Sequence, residues 1–495
     1  MKKTKISIFA FTVSCLLQTS CFANTELTIA PISDPALTHL ALKAIKISNN
    51  QNTPIKLSVF NITGLDSQNS ISIASNLENS CKINQTLGTT AKDNYCYLWL
   101  QAKLKGTDNL GKNTFPISVN VNNQTSKYNI TSENALYVGG TFNRVNTTVT
   151  QSLPANNIAK WNGKTWELLG TPGSNGVDRD VNTIVTNGID IYIGGLFTKA
   201  YSQTGELPTK HLARWNGNWV TIANGPDEGY DPDIQAMAIG KSTIYAGGGN
   251  DDGFIVFGRI EKDTYYSLLG PSVTGRIMSL AIKPGSDDLY TVGRNGDSNF
   301  WDVAKGTWQS LAPNLGDQTL YAVTTHGNNV YFGGTFLAPA SGDNYLVGWD
   351  TAGKTFTKLN PDDQGLRSSD GFGVTAFFQA GDNLVIAGQF DKVSTKGGDI
   401  DLNNIGIWNF TTKKWTKLGN GAGDVAYDCL YSTTIVGDKL YVGGTITNIG
   451  SLTINSIAMW DLTKNIWSAL GAGVLGEYGS GNVMALTSAS SITIE

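Results

Sequence analysis

Charge is scarce in this 495-residue chain: Lys, Arg, Asp and Glu together make up 15% of it, while glycine alone contributes 56 residues. That balance excludes a disordered chain and one built from long solvated helices, and it suits many short strands joined by tight turns. Histidine is scarcer still. His39, His211 and His326 are too few and too scattered for a His-based triad or a His-rich zinc site. Long apolar runs are also missing: Ile6–Leu17 spans 12 residues, too short to cross a bilayer, and no later stretch is longer. Cysteine is limited to five residues, two of them, Cys15 and Cys21, close to the N-terminus.

Residues 1–23 read as a secretory signal. Lys2, Lys3 and Lys5 precede the apolar run, and Cys21-Phe22-Ala23 makes a small-x-small cleavage site before Asn24. Lipid attachment at Cys21 would call for Leu three residues earlier, where Gln18 stands. The expected destination is therefore the periplasm, the cell surface or the medium, without a transmembrane segment. Cleavage after Ala23 leaves 33 bases against 40 acids, a net charge of −7, which argues against a nucleic-acid partner. Cys81 and Cys96 are then the expected disulfide, closing a loop of a length worth ~3 kcal/mol, and Cys429 is left over as a buried small hydrophobe.

From 24 to 134 the chain alternates apolar and polar residues in short runs: IKLSVFNI at 55–62, SISIASN at 70–76, YCYLWLQAKL at 95–104, FPISVNVN at 115–122 and KYNIT at 127–131. Turn residues separate them, as in an all-β layer pair. The stretch from Ser80 to Val121, with a cysteine-bearing hairpin before a long strand, resembles the immunoglobulin-like modules of bacterial exported proteins. That resemblance implies a β-sandwich acting as a spacer or an adhesive unit.

From 135 to 495 one unit recurs. Its first copy, Leu136–Gly170, reads LYVGGTF, a polar loop, then NNIAKWNGKTWELLG. The glycine pairs or their relics fall at Gly139-Gly140, Gly194-Gly195, Gly247-Gly248, Val292-Gly293, Gly333-Gly334, Ala387-Gly388 and Gly443-Gly444, spaced 55, 53, 45, 41, 54 and 56 residues apart. An aromatic hairpin follows each: Trp161/Trp166, Trp215/Trp219, Phe257/Tyr266, Trp301/Trp308, Trp349/Phe356, Trp408/Trp415 and Trp460/Trp467. One unit cannot bury its apolar face alone, whereas a ring of them can. Glycine is expected where the backbone of one unit meets an aromatic ring of the next.

Apolar strand, Gly-Gly, loop, aromatic, then Trp resembles the kelch motif of the galactose-oxidase-like superfamily. It is also similar to the propellers of fungal cortical polarity markers and related bacterial exported proteins. The resemblance implies an all-β, seven-bladed kelch-like propeller behind the immunoglobulin-like β-sandwich. VMALT at 483–487 is expected to close blade 1 as its missing first strand.

No chemistry carries over from that superfamily. A copper oxidase site needs two His and two Tyr, one Tyr linked to Cys, and no residue here matches. Asp461–Trp467 and Asp302–Trp308 echo the end of a sialidase box, but the aromatic hairpin accounts for them equally. What does stand out is charge. The seven loops that join one unit to the next hold 13 acids: Asp178, Asp180, Asp227, Glu228, Asp231, Asp233, Asp317, Asp362, Asp363, Asp370, Asp424, Asp428 and Glu477. They hold three bases, Arg179, Arg276 and Arg367, and no lysine. Topology places these loops on one face with the long polar connections 141–156, 196–210 and 389–404. The expectation is an interaction module whose acidic face meets a protein or glycan ligand, a cationic one above all, with no cofactor required and Ca²⁺ as the one candidate metal. The alternative is a carbohydrate-active hydrolase or lyase, which would need paired carboxylates converging at the centre.

Overall fold

A computed structural model describes residues 27–495 apart from 32–39, 59, 64–70, 75–76, 103–108, 149, 227–231, 269–274, 313–314, 317, 338–343, 361, 364, 370–371, 450–451 and 478. The expected leader 1–23 and His39 lie outside them. Among the described residues the chain is all-β, without an α-helix, and no helix is long and apolar enough to cross a membrane.

The N-terminal part has two larger sheets around one core, with a short ladder of Ile55–Lys56 and Thr86–Leu87 beside them. Leu27–Pro31, Leu42–Asn49, Tyr95–Ala102 and Ile71–Ile73 lie side by side in that order. Facing them are Phe60–Thr63, Gly111–Val121 and the first half of Gln124–Thr141. The period-2 alternation of YCYLWLQA and FPISVNV puts Leu98, Leu100, Val119 and Val121 into the shared interior with Ile45, Ile47 and Ile130. Cys96 is buried in that core and bonded to Cys81.

The strand Gln124–Thr141 then runs unbroken out of this layer and into the repeats. There the sheets repeat one order, first to fourth strand, each antiparallel to the last. Their first strands are Val181–Thr186, Asp233–Ile239, Ile277–Ile282, Leu320–His326, Gly373–Ala380, Leu430–Val436 and Asn482–Ile494. Each touches the next, and Asn482–Ile494 touches both Leu430–Val436 and Val181–Thr186, so the cycle is closed. This is a β-propeller. Asn482–Ile494 pairs with Gln124–Thr141 from Asn482 opposite Thr141 to Ile494 opposite Ile130, and its far end places Ile492 in the N-terminal core.

The paired glycines make room chiefly for aliphatic side chains and backbone, and for the expected aromatic ring at one position. A Cβ on the first of the pair would strike a β-branched side chain of the following first strand: Gly139 meets Val181, Gly443 meets Val483, and Gly333 meets Val374 with the Phe377 ring 3.0 Å away beside it. A Cβ on the second would run into a carbonyl at the start of its own sheet's first strand, as at Gly248 against Asp233. Hence the first position also tolerates Val292 and Ala387, while the second is glycine throughout.

The aromatic hairpins tie neighbouring sheets together. Trp161 lies opposite Trp166, Trp215 opposite Trp219 and Trp460 opposite Trp467. The second indole donates to a leucine carbonyl of the preceding sheet: Trp166 to Leu470 at 3.0 Å, Trp219 to Leu169 at 3.3 Å, Trp467 to Leu418 at 3.1 Å. The Phe257/Tyr266 pairing is overturned. The two-residue turn at Lys262-Asp263, both at positive φ, sets Tyr266 opposite Arg259 and gives the aromatic-pair position to Ile260 and Tyr265. Phe257 packs instead against Trp301 and Trp308 of the next sheet.

The two parts are joined at a turn on the ring. Leu40 N–H donates to Asp190 Oδ1 at 3.0 Å and Ala41 N–H to the Ile189 carbonyl at 2.9 Å. Asp190 in turn accepts from buried Arg214 at 2.6 Å, whose other nitrogens reach Asp263. A buried guanidinium is thus compensated on both sides, which its desolvation demands.

Candidate functional site

Every first strand carries the same defect near its start: one extra residue set against the glycine-bearing strand. The register slips between Val181 and Thr183, Ile234 and Ala236, Ile277 and Ser279, Leu320 and Ala322, Val374 and Ala376, Leu430 and Ser432, and Val483 and Ala485. A β-bulge re-aims the side chain it inserts. The inserted residues are Asn182, Gln235, Met278, Tyr321, Thr375, Tyr431 and Met484, and all seven line one cavity of about 420 Å³ on the ring axis. The residues just before them, Val181 to Val483, are all buried. The glycine beside each bulge is what makes room for it.

Chain order around the ring gives the cavity two sides. Asn182 and Gln235 stand on adjacent strands, joined at the mouth by Thr141, Asp180 and Asn482. Across from them stand Tyr321, Thr375 and Tyr431 on three successive strands, with Phe372 at the mouth, 47% exposed. Met278 and Met484 occupy the two junctions. Among the described residues no lysine, arginine or histidine lines the cavity. Burial pushes the Tyr431 hydroxyl up to about 12, so it stays protonated. Tyr427, 84% exposed, stands on the neighbouring loop.

Behind the amide side lies Asp233, buried at the head of its strand. Its carboxylate accepts from Asn182 Nδ2, from Gln235 Nε2 and, at 3.2 Å, from Arg276 Nη1. Arg276 also reaches Asp251. Desolvation pushes the Asp233 carboxyl up to about 6 against the opposing pull of Arg276, and the nearby Asp180 charge adds to the rise. A carboxyl raised in the folded state binds a proton that the unfolded chain has already lost. Stability from this group is therefore present below the unfolded value near 4 and falls as pH rises through about 6. From pH 4 to pH 7 the parent should lose roughly 2 kcal/mol relative to Asp233→Asn. Denaturant unfolding of both proteins at the two pH values measures this, and an unchanged gap between them would refute it.

The acids singled out in the sequence divide into kinds. Asp178 is spent on local structure: it accepts from Thr198 N–H at 2.8 Å, Thr198 Oγ1 at 2.9 Å and Lys199 N–H at 2.9 Å. Asp428 is buried, and its Oδ2 accepts from Asp424 N–H at 2.8 Å, while Asp424 Oδ1 accepts from Ala426 N–H, closing the 424–428 turn. Burial pushes the Asp428 carboxyl up. Asp363 is buried beside Asn360, next to a cleft of about 20 Å³, room for one water. Asp362 is exposed, 3.8 Å from Lys396. Asp180 and Glu477 line a second cavity of about 320 Å³ with Asn143, Asn156, Arg179 and Tyr201, and Asp180 belongs to both cavities. Asp227, Glu228, Asp231, Asp317 and Asp370 lie outside the described residues. Among the described residues no group of three His, Cys, Asp or Glu is arranged to hold a metal. Cys429 is buried and free, its thiol pushed up to about 12 by burial, which keeps it inert at neutral pH.

The long polar connections are themselves hairpins: Lys199–Ser202 with Gly205–Pro208, Lys392–Thr395 with Gly398–Asp401, and Arg144–Thr148 with Gln151–Pro154. They stand above the ring on the face where both cavities open. The bulge residues were missed from sequence, though a signal exists. VNTIV, IQAMA, IMSLA, LYAVT, VTAFF, LYSTT and VMALT share an apolar–x–small frame, followed by an apolar residue in all but LYSTT, whose variable second position is the cavity residue.

No family model matches this chain, and no curated relative does. Among solved structures, the WD40 repeats of RRP9 are similar at 12% identity and a TM-score of 0.40, over 62% of this chain and 82% of that one. A structure of U3-55K is similar at 11% identity and a TM-score of 0.39, over 62% and 84%. At this distance the likeness carries nothing about ligand or partner.

Proposed function

We propose that this chain is an exported, non-catalytic binding module: an immunoglobulin-like sandwich ahead of a seven-bladed kelch-like propeller, which seats its ligand in the axial cavity from the acidic, loop-bearing face. The observation that carries the proposal is the set of bulges. Seven strands each insert one residue into the same cavity, and the size of that cavity falls in the range of ligand pockets. The closed cycle of first strands supports the blade count, and the Gly-Gly and tryptophan frame supports the kelch assignment. The Cys81–Cys96 bridge suits an oxidising compartment.

Hydrolysis is the less favoured reading. Acid–base cleavage of a glycoside needs two carboxyl groups facing across the substrate. Among the described residues Asp180 is the one carboxylate lining the axial cavity, and Asp233 sits behind the amides it binds. A neutral peptide or saccharide would use the same seat through Tyr321, Phe372 and Tyr431.

Met278 has a free side chain at a bulge, so Met278→Trp should fill the cavity without disturbing a hydrogen bond. On peptide and glycan arrays, ligands of the parent are expected to lose at least about tenfold in affinity with this variant, equivalent to about 1.4 kcal/mol. Ligands indifferent to it would place the binding surface elsewhere. Mass spectrometry of the secreted protein should find Asn24 at its N-terminus, and an intact Met1 would overturn export.

A further inference from the structure

We infer that the axial cavity takes an organic cation, an ammonium or guanidinium group, held by the Asn182 and Gln235 carbonyl oxygens and the Asp180 carboxylate against the rings of Tyr321 and Tyr431. The inference rests on the cavity being the ligand seat, and it deepens that proposal.

The argument turns on Asp233. An ionised carboxylate only accepts, so the Asn182 and Gln235 groups turned toward it are their NH₂ ends. That fixes both amides. Asn182 Nδ2 is spent on Asp233 and, at 3.5 Å, the Ile234 carbonyl, while Gln235 Nε2 donates to Asp233, and both carbonyl oxygens are turned away from Asp233 with no described partner. Thr375 is also fixed as an acceptor, since its hydroxyl donates to the Leu430 carbonyl. Asp180 adds a half-buried carboxylate whose oxygens accept from no described group, close enough to Asp233 to raise that residue's pKa. One arc of the cavity is therefore rich in acceptors and the other aromatic, with no base among the described residues that line it.

A sugar hydroxyl both donates and accepts, so a saccharide site needs protein donors facing it, and this arc has few. A protonated amine or guanidinium only donates, and its charge is attracted to an aromatic face. Met278 and Met484, at the junctions of the arcs, supply polarizable contact for an alkyl stem. Arg276 is committed through its terminal nitrogens to Asp233 and Asp251 and is not among the residues lining the cavity. One chemistry could arrive from two sources, a free amine or a basic side chain of a protein partner.

The five methionines make the test direct. In full-length protein labelled at methionine methyls, with assignment by Met278→Leu and Met484→Leu, butylammonium should shift the two cavity resonances saturably. 1-Pentanol, a neutral alcohol one carbon longer, and methyl glucoside should shift them little at equal concentration. Asp180→Asn and Asp233→Asn should each weaken butylammonium by at least about tenfold, the second by releasing the amides to turn over, while the melting curves show both variants folded. Pentanol as effective as butylammonium would overturn the inference. So would glucoside shifts with the amine silent, or variants that bind like the parent. Putrescine compared with an acetylated lysyl tripeptide separates the sources: tighter putrescine indicates a free amine, and a tighter peptide indicates a protein side chain. Silent cations together with array ligands still lost in Met278→Trp would remove this inference and leave the seat intact.

Discussion

Removing residues 482–495 is expected to abolish cooperative folding of the whole chain. The segment is the innermost strand of the ring's first sheet and part of the N-terminal layer at once. Val483, Leu486 and Ile492 are buried along it, and its loss opens the cycle between Leu430–Val436 and Val181–Thr186. Burying three such side chains contributes about 6 kcal/mol, comparable with the whole stability of a typical domain, before the unpaired edge of Gln124–Thr141 is counted. Gly443 would also face an empty space in place of Val483. Calorimetry should show the parent's transition replaced by a broad, low-enthalpy one, with dye binding to exposed apolar surface at 25 °C. A shorter deletion, 492–495, removes Ile492 from the N-terminal core but spares the ring and should cost far less. A melting midpoint within a few degrees of the parent's after the longer deletion would show that the ring closes without this strand.

Much of this architecture was legible because each element announces itself locally. Asn162-Gly163 and Asn216-Gly217 mark hairpins, alternation marks strands, and a glycine pair every 41 to 56 residues marks the repeat. The site was legible only in part. Counting acids found Asp180, which lines the cavity, but also Asp178 and Asp428, whose carboxylates hold their own loops together. Composition cannot separate these, since a capping aspartate and a free one look alike until their partners are placed. The bulges were missed for another reason. A bulge is a relation between two strands, and the residue it inserts, whether Asn182 or Met484, reads on one strand as an ordinary step in an alternating run. The Phe257/Tyr266 error has the same root, because the turn at Lys262-Asp263, not the spacing of aromatics, sets the register there.

Gly388→Ala is expected to destabilise the protein by about 3 kcal/mol, while Ala387→Gly next to it costs about 1 kcal/mol. The two positions differ by what a Cβ meets. At 387 a methyl group is already present, fully buried and accommodated by the next sheet, so its removal forfeits a small contact and some backbone entropy. At 388 a Cβ would run into the Gly373 carbonyl and lie 3.0 Å from both Thr375 N and Val374 Cα. These are backbone atoms, which cannot swing aside as a side chain can. They belong to the bulge that aims Thr375 into the cavity, so relief would come from moving the bulge itself. The alanine at 388 should therefore lower stability and also shift the Met278 and Met484 methyl resonances, whereas the glycine at 387 should lower stability slightly and leave them in place. Denaturant unfolding with m-values measures the first effect and the methyl spectrum the second. Should Gly388→Ala unfold within about 0.5 kcal/mol of the parent with unchanged methyl signals, the second glycine would not be the residue that makes room for the bulge.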